Sequence, residues 1–124
     1  MTAIVETPAS SLDLGILAGD WRNTNADGGI SRIVCRPIDG GRLSVQCFGI
    51  DDWGSVEAPV YAFAFESKQA GAFNAVFDLG YEEVHLQANV KAGVLVVASF
   101  NHIKDQSGRS SYFDREFFHR VATA

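Results

Sequence analysis

Hydrophobic and polar residues alternate along most of the chain after residue 19, which is the pattern of strands that bury one face. Turn-forming residues, mostly Gly together with Asp or Asn, interrupt this alternation at short intervals. The pattern predicts eight strands, at residues 20–25, 30–38, 42–50, 58–67, 72–79, 82–91, 94–103 and 110–121. Helical spacing exceeds one turn only at residues 11–17, where we expect a short helical turn capped by Ser11.

The connections between these strands are too short for a crossover helix, so consecutive strands should pair in an antiparallel sense. An open sheet would leave two edges, and neither terminal strand carries the Lys or Pro that protects an edge. We therefore predict an all-β fold, an eight-stranded antiparallel up-and-down barrel with a short N-terminal helical turn. A sandwich of two sheets is the alternative. The chain of 124 residues fits one domain at 11–124, preceded by a mobile arm at 1–10.

The charge balance argues against two classes of partner. Ten basic and fifteen acidic residues give a net charge of -5. Nucleic-acid binding depends on basic groups that meet phosphates, and membrane-surface binding needs a cationic stripe, so neither partner is expected. No stretch reaches the roughly 20 apolar residues of a transmembrane helix, and residues 1–11 lack the features of a signal peptide. We therefore expect a cytoplasmic protein.

Two cysteines are too few for a disulfide scaffold, and we expect free thiols in a reducing compartment. Cys35 and Cys47 lie on two strands of a predicted hairpin that turns at residues 39–42. A two-residue turn would place Cys35 opposite Gln46, with the two sulfurs on opposite faces. A one-residue bulge would instead place Cys35 directly across from Cys47.

Residues 17–22, Leu-Ala-Gly-Asp-Trp-Arg, form a G-x-W signature that enters the first strand after a short turn. This signature, with the strand pattern, resembles the calycin superfamily, which contains the lipocalins, the fatty-acid-binding proteins and the avidins. The resemblance implies that Trp21 closes one end of the barrel and that an arginine of the last strand packs on its indole ring. Arg115 or Arg120 would be that arginine. The resemblance implies a calycin-like barrel with a pocket, and no particular ligand.

Aromatic residues supply the candidate pocket. Three of them share one face of the predicted fourth strand, and two share a face of the fifth. Two more, on the last strand, line the interior if that strand turns their face inward. Arg115 would then face inward and could orient a ligand. The candidate ligand-binding residues are Tyr61, Phe63, Phe65, Phe73, Phe77, Phe113, Arg115 and Phe117. These rings could equally fill the barrel and leave no pocket.

Two further features bear on partners and on the ends of the barrel. Both faces of the predicted fourth strand are apolar, and the small residues Ala62 and Ala64 would let another sheet approach closely. We therefore expect a homodimer or higher homo-oligomer through this strand.

Trp53 lies on a predicted loop near a barrel mouth, either as an exposed recognition contact or folded over the barrel end.

The histidines do not form a predicted metal site. Strand pairing places His85 opposite Phe100, with His102 diagonal to it on the same face, and leaves His119 about eight residues further along. At about 3.3 Å per residue, that separation exceeds roughly 20 Å, which is too far for a shared metal ion. No hydrolase, nucleotide-binding or metalloprotease motif occurs either. We predict no metal, no cofactor and no catalytic residue.

The favoured function is a binding protein that holds a small, largely apolar molecule in an aromatic-lined barrel cavity. The first alternative is a cofactor-free cyclase or isomerase that uses the same cavity, with Arg115, Tyr61 or a histidine acting on the substrate. The second alternative is an oligomeric interaction module with a filled barrel. The lack of a recognised catalytic motif favours binding over catalysis.

Overall fold

A computed structural model describes residues 12–122 of the chain. Within that range, nine antiparallel strands form one sheet that curls into a nearly closed barrel. The strands are β1 (Gly19–Asn23), β2 (Arg32–Ile38), β3 (Arg42–Phe48), β4 (Asp52–Ala58), β5 (Val60–Ala62), β6 (Ala70–Asp78), β7 (Glu82–Lys91), β8 (Val94–Ile103) and β9 (Tyr112–Val121). The arm predicted at 1–10 and the Ser11 cap lie outside the described residues.

The first strand pairs with the last, as the barrel prediction requires. β1 and β9 are antiparallel neighbours, and Trp21 lies opposite Arg120. The order around the sheet is β4-β3-β2-β1-β9-β8-β7-β6-β5. At the seam, β4 continues through Pro59 into β5, and the amide of Asn74 on β6 donates to the Pro59 carbonyl at 3.3 Å. The prediction of an all-β antiparallel barrel is confirmed.

The prediction of eight strands is wrong, and the error lies between residues 51 and 67. β4 occupies the stretch predicted as the loop around Trp53, and the predicted strand at 58–67 shrinks to the three residues of β5. Pro59 has no amide hydrogen for a ladder, so it separates β4 from β5. Residues 63–69 form a loop, in which Glu66 has a φ of 71° and the Ser67 amide donates to the Ala64 carbonyl at 3.0 Å.

The predicted N-terminal helical turn is also wrong. The amides of Leu17 and Ala18 both donate to the Leu14 carbonyl at 3.0 Å, which makes a single non-helical turn. The turn cannot continue, because Gly19 leaves it with a φ of 144° and enters β1. The turn nevertheless contacts the barrel core, because Trp21 Nε1 donates a hydrogen bond to the Leu17 carbonyl at 3.0 Å.

Both cysteines point into the barrel, because the turn between β2 and β3 has three residues. Ile38 pairs with Arg42, and Cys35 therefore lies opposite Val45 and diagonal to Cys47. Neither of the two registers considered for the hairpin is the observed one. Both thiols are free and buried. Burial raises the pKa of Cys35 to about 12 and moves that of Cys47 in the same direction.

The described part of the chain contains no helix that could cross a membrane.

Candidate functional site

One end of the barrel is closed by Trp21 and Arg120. Trp21 is buried, and the Arg120 guanidinium carbon lies 4.6 Å from the centre of its ring. Arg120 Nη2 also donates to the Ile16 carbonyl. Gly19 leaves room for this side chain, since a Cβ there would lie 3.1 Å from Arg120 Nε. Of the two arginines considered, Arg120 therefore packs on the indole and Arg115 does not.

The middle of the barrel is filled. Phe73 and Phe77, predicted on an inner wall, are buried there together with aliphatic side chains from the surrounding strands. Phe77 packs edge-on against Trp53, with ring centres 5.7 Å apart. These rings therefore occupy the interior and do not line a large cavity.

The other candidate ligand-binding residues lie outside the barrel. Tyr61 is at the seam, and Phe63 and Phe65 belong to the 63–69 loop, where Phe65 is 96% exposed. The three candidates on β9 are exposed as well, namely Phe113, Arg115 and Phe117. The prediction that these six side chains face the interior is wrong.

The register of β9 explains why its rings face outward. Phe118 is fully buried and lies opposite Leu95 on β8, which is also fully buried. Because side chains alternate along a strand, every second residue before Phe118 shares its inner face. Asp114 and Glu116 therefore lie on the inner face, with Glu116 half-buried and Asp114 exposed near the end of the barrel.

These inward residues help to form a cavity at the end of the barrel opposite Trp21 and Arg120. Its walls come from the start of β7, the end of β8, the start of β9, β4 and the 24–31 loop. The lining residues are Gly29, Ile30, Trp53, Glu82, Val97, Ser99, Asn101, Tyr112, Asp114, Glu116 and Phe118. We call this space the open-end cavity. Trp53 is half-buried there, folded over the barrel end.

The open-end cavity is small, about 70 Å³ in volume. A water molecule needs on the order of 10–15 Å³ on this measure, and sites for whole drug-sized ligands run to roughly 300–1,000 Å³. The cavity therefore has room for one functional group of a ligand, and the rest of the ligand would lie at the mouth.

Glu82 is the most unusual residue in this cavity. Its side chain points inward from the first position of β7, and only 9% of the residue is exposed. Its carboxylate has no hydrogen bond or ion pair with any residue between 12 and 122. No buried side-chain oxygen within residues 12–122 lacks a hydrogen-bond partner, so the Glu82 oxygens reach solvent in the cavity and can accept a donor from outside the chain.

Asp114 and Glu116 form a second acidic group across the cavity. Burial raises the pKa of Glu116, and its hydrogen bond and close charge contact with Asp114 raise it further. Asn23 and Asn25 oppose this rise by hydrogen bonds to the same carboxyl group. The like charge of Asp114 therefore makes Glu116 keep its proton to a higher pH than an isolated carboxyl group would.

Neutral polar groups complete the wall. The Asn101 amide nitrogen donates to Ser99 Oγ at 3.3 Å and to the Tyr112 carbonyl at 3.4 Å. Ser99 and Asn101 are both buried. The pKa of the Tyr112 phenol is raised by burial and then by the charges of Glu82 and Asp114. The cavity thus combines acidic and neutral oxygen atoms with the indole of Trp53.

A second, larger space lies at the closed end of the barrel, where Ile16, Phe63, Val90, Lys91 and Arg120 border a surface groove of about 620 Å³. It is open to solvent, and its Arg120 is already bound to Trp21 and to a backbone carbonyl. The open-end cavity is therefore the stronger site, because its polar side chains converge and one of them is unpartnered.

The histidines lie on the outer surface. The predicted pairing of His85 with Phe100 is confirmed, and the rings of His85 and His102 are 4.9 Å apart. His85 Nε2 lies 2.6 Å from Glu83 Oε1. His119 is opposite Val94, at the far end of β8. No cluster of three or more His, Cys, Asp or Glu within residues 12–122 is arranged for a metal ion.

No protein-family model, no curated protein and no solved structure matches this chain. Its function is therefore inferred from its own residues.

Proposed function

We propose that the protein binds a small molecule, and that the open-end cavity receives the polar head group of that ligand. The observation that carries the proposal is Glu82, a residue that is nine-tenths buried and lines the cavity, and whose carboxylate has no partner among residues 12–122. Enclosed spaces with a few convergent polar groups are the usual form of small-molecule sites.

The remainder of the ligand would be largely apolar. Trp53 and Ile30 border the cavity and offer apolar surface at its mouth, while Phe118 and Val97 form apolar wall inside. This division departs from the cavity expected from the sequence, in which aromatic rings surrounded the ligand and Arg115 oriented it. Trp21 and Arg120 make the indole–guanidinium contact that the calycin-like resemblance implies.

Ser99→Leu tests the site, because the larger apolar side chain fills the cavity from β8. We expect ligands found by a thermal-shift screen of small molecules to bind the wild type and to lose binding in this variant. Ser44→Leu is the matched control, since Ser44 lies on β3 away from the cavity lining. Ligands that bind Ser99→Leu and the wild type equally would contradict the proposal.

A cofactor-free cyclase or isomerase is the second candidate. The raised pKa of Glu116 favours it, because a carboxyl group that keeps its proton at higher pH can donate that proton to a substrate. Turnover in the same cavity, with a pH profile that Glu116→Gln removes, would favour catalysis over simple binding.

We also propose that a second copy of the chain covers an apolar area on the outer face of β6–β9, which we call the outer patch. Two rows of side chains cross these four strands. Val76, His85, Phe100 and Phe113 form the first, and Ala72, Asn89, Val96 and Phe117 form the second. Phe113 is 65% exposed, and its ring stacks on that of Phe100 at 6.1 Å. A polar row, Asn74, Gln87, Ala98 and Arg115, lies between these two rows, so the exposed aromatic rings carry the proposal.

The exposed rings of Phe113 and Phe117 support a second copy as the occupant, because the same rings of a partner copy could cover them. Asp78 and Glu83 lie beyond the first row, where Lys104 binds both, and Lys91 and His119 lie beyond the second. This moves the proposed homodimer interface from the predicted fourth strand to β8 and β9. Sedimentation equilibrium tests it.

Two buried reduced thiols fit a reducing compartment, and the cytoplasm remains the proposed location.

A further inference from the structure

The open-end cavity carries acidic groups and no basic group. Glu82, Asp114 and Glu116 contribute carboxyl groups, and no Lys, Arg or His is among the lining residues. Their combined field reaches Tyr112, whose pKa rises in part through the charges of Glu82 and Asp114. An anionic head group would meet like charges in a region partly shielded from water. The cavity is therefore complementary to a positive charge.

Glu82 adds an observation that is independent of this acidic cluster. Nine-tenths of the residue is buried, its side chain points into the cavity, and no residue between 12 and 122 bonds to its carboxylate. Several carboxylates of the described chain have basic partners, for example Asp20 with Arg32 and Asp78 with Lys104. A group that binds the Glu82 carboxylate must be a hydrogen-bond donor, and a charged donor binds a carboxylate more strongly than a neutral one.

The geometry favours an organic cation over a metal ion. Within residues 12–122, the acidic side chains do not converge in the way that a hard metal ion requires. Trp53 instead brings an indole ring to the cavity wall, and aromatic rings attract ammonium groups. The volume of about 70 Å³ suits a small head group. An ammonium group has three donors, which match the carboxylate and neutral oxygen atoms of this wall.

We infer that the head group bound in the open-end cavity is the primary ammonium of an amine, with Glu82 as its counter-ion. This inference rests on the proposed function of the cavity and names the chemical class of the ligand.

Three probes of matched shape test the charge requirement on the wild-type chain. Phenethylamine, phenethyl alcohol and hydrocinnamate carry a cationic, a neutral and an anionic head group on a similar aromatic body. We expect amide chemical shifts of β7, β8 and β9 to titrate with phenethylamine, with an affinity about tenfold or more above that of the alcohol. We expect no titration with hydrocinnamate.

Glu82→Gln tests the counter-ion. The substitution keeps the shape of the side chain and removes its charge, so the preference for phenethylamine over phenethyl alcohol should disappear. Glu83→Gln is the matched control, because Glu83 is the next residue on β7 and faces the opposite side of the sheet. That variant should retain the preference of the wild type.

The outcomes separate this inference from the proposed function. If phenethyl alcohol binds as tightly as the amine and Ser99→Leu abolishes both, the cavity is a binding site and the inferred charge is wrong. If Mg²⁺ or Ca²⁺ alone changes the amide chemical shifts of the same residues, the inference that the ligand is an amine is also wrong. If neither these probes nor a broad screen gives binding that Ser99→Leu removes, the proposed function fails as well.

Discussion

The contact between Arg120 and Trp21 should contribute measurably to stability. Arg120→Met keeps apolar volume over the indole but removes the charge and the hydrogen bond to the Ile16 carbonyl. A cation over an indole contributes about 0.5–2 kcal/mol and a hydrogen bond about 0.5–1.5 kcal/mol, so we expect a loss of about 1–2 kcal/mol. Urea denaturation measures this loss.

Arg36→Met is the control for that experiment. Arg36 is exposed on β2 and makes no ion pair with a residue between 12 and 122, so its substitution should change stability by less than about 0.5 kcal/mol. Equal stabilities of Arg120→Met and the wild type would show that the contact adds nothing.

The same pair of residues shows what the sequence could and could not predict. Alternation identified which residues of β9 share a face, but it does not say which face is inside. The rings of Phe113 and Phe117 were assigned to the interior because they are apolar, and the assignment was wrong. If Arg120 packs on Trp21, it lies on the inner face of β9, and Asp114 and Glu116 share that face because side chains alternate. Phe113 and Phe117 then lie on the outer face.

Asp20 on β1 binds two arginines, Arg32 on β2 and Arg22 on its own strand. Arg32 Nε and Nη2 donate to its two oxygen atoms at 3.0 and 2.8 Å, and Arg22 Nε donates to the first at 3.0 Å. The hydrogen bond from Arg32 is the main reason that the pKa of Asp20 is lowered. A lowered pKa means that the ionised form is stabilised by folding.

Asp20→Asn should therefore destabilise the barrel in a pH-dependent manner. The stabilisation is complete above the ordinary pKa of 3.8 and is lost as the pH falls through the lower pKa of the folded state. Since the arginines are partly exposed, we expect a loss of about 0.5–1 kcal/mol at pH 7. Urea denaturation from pH 7 to pH 2 should show the two proteins converging in acid.

Asp27→Asn is the control for the pH series, because Asp27 is exposed and has no ion pair with a described residue. A constant difference between Asp20→Asn and the wild type at every pH would show that the effect does not come from the carboxylate charge.

Strands were predictable where a short turn fixes them. β7 and β8 have the predicted bounds, since Ala92 and Gly93 both take positive φ values and set the hairpin register. The region of β4 failed because its residues are mostly polar and exposed, and because the apolar run that follows belongs to a loop. The strand at Asp52–Ala58 forms because it pairs with β3, with a register shift between Gln46 and Phe48 that alternation does not predict.

The barrel has two chemically different ends. Arg120 and Lys91 border the end that Trp21 closes, while carboxyl groups line the cavity at the other end. The alternation along each strand predicts a barrel, but it cannot predict this cavity, because Glu82, Asp114 and Glu116 come from positions that read as solvent-exposed. Their convergence depends on the register of β9 with β8 and on the closure of the sheet.

The outer patch gives a prediction for the whole molecule. If a second copy covers it, the wild type should sediment as a dimer at micromolar concentration. Phe113→Asp should shift it toward the monomer, because a charge would be buried against an apolar row, with a dissociation constant raised at least about tenfold. Phe65→Asp is the matched control, since Phe65 is 96% exposed and lies in the 63–69 loop, away from the outer patch. A wild-type monomer at micromolar concentration, or a dimer that persists in Phe113→Asp, would show that a second copy does not cover this face.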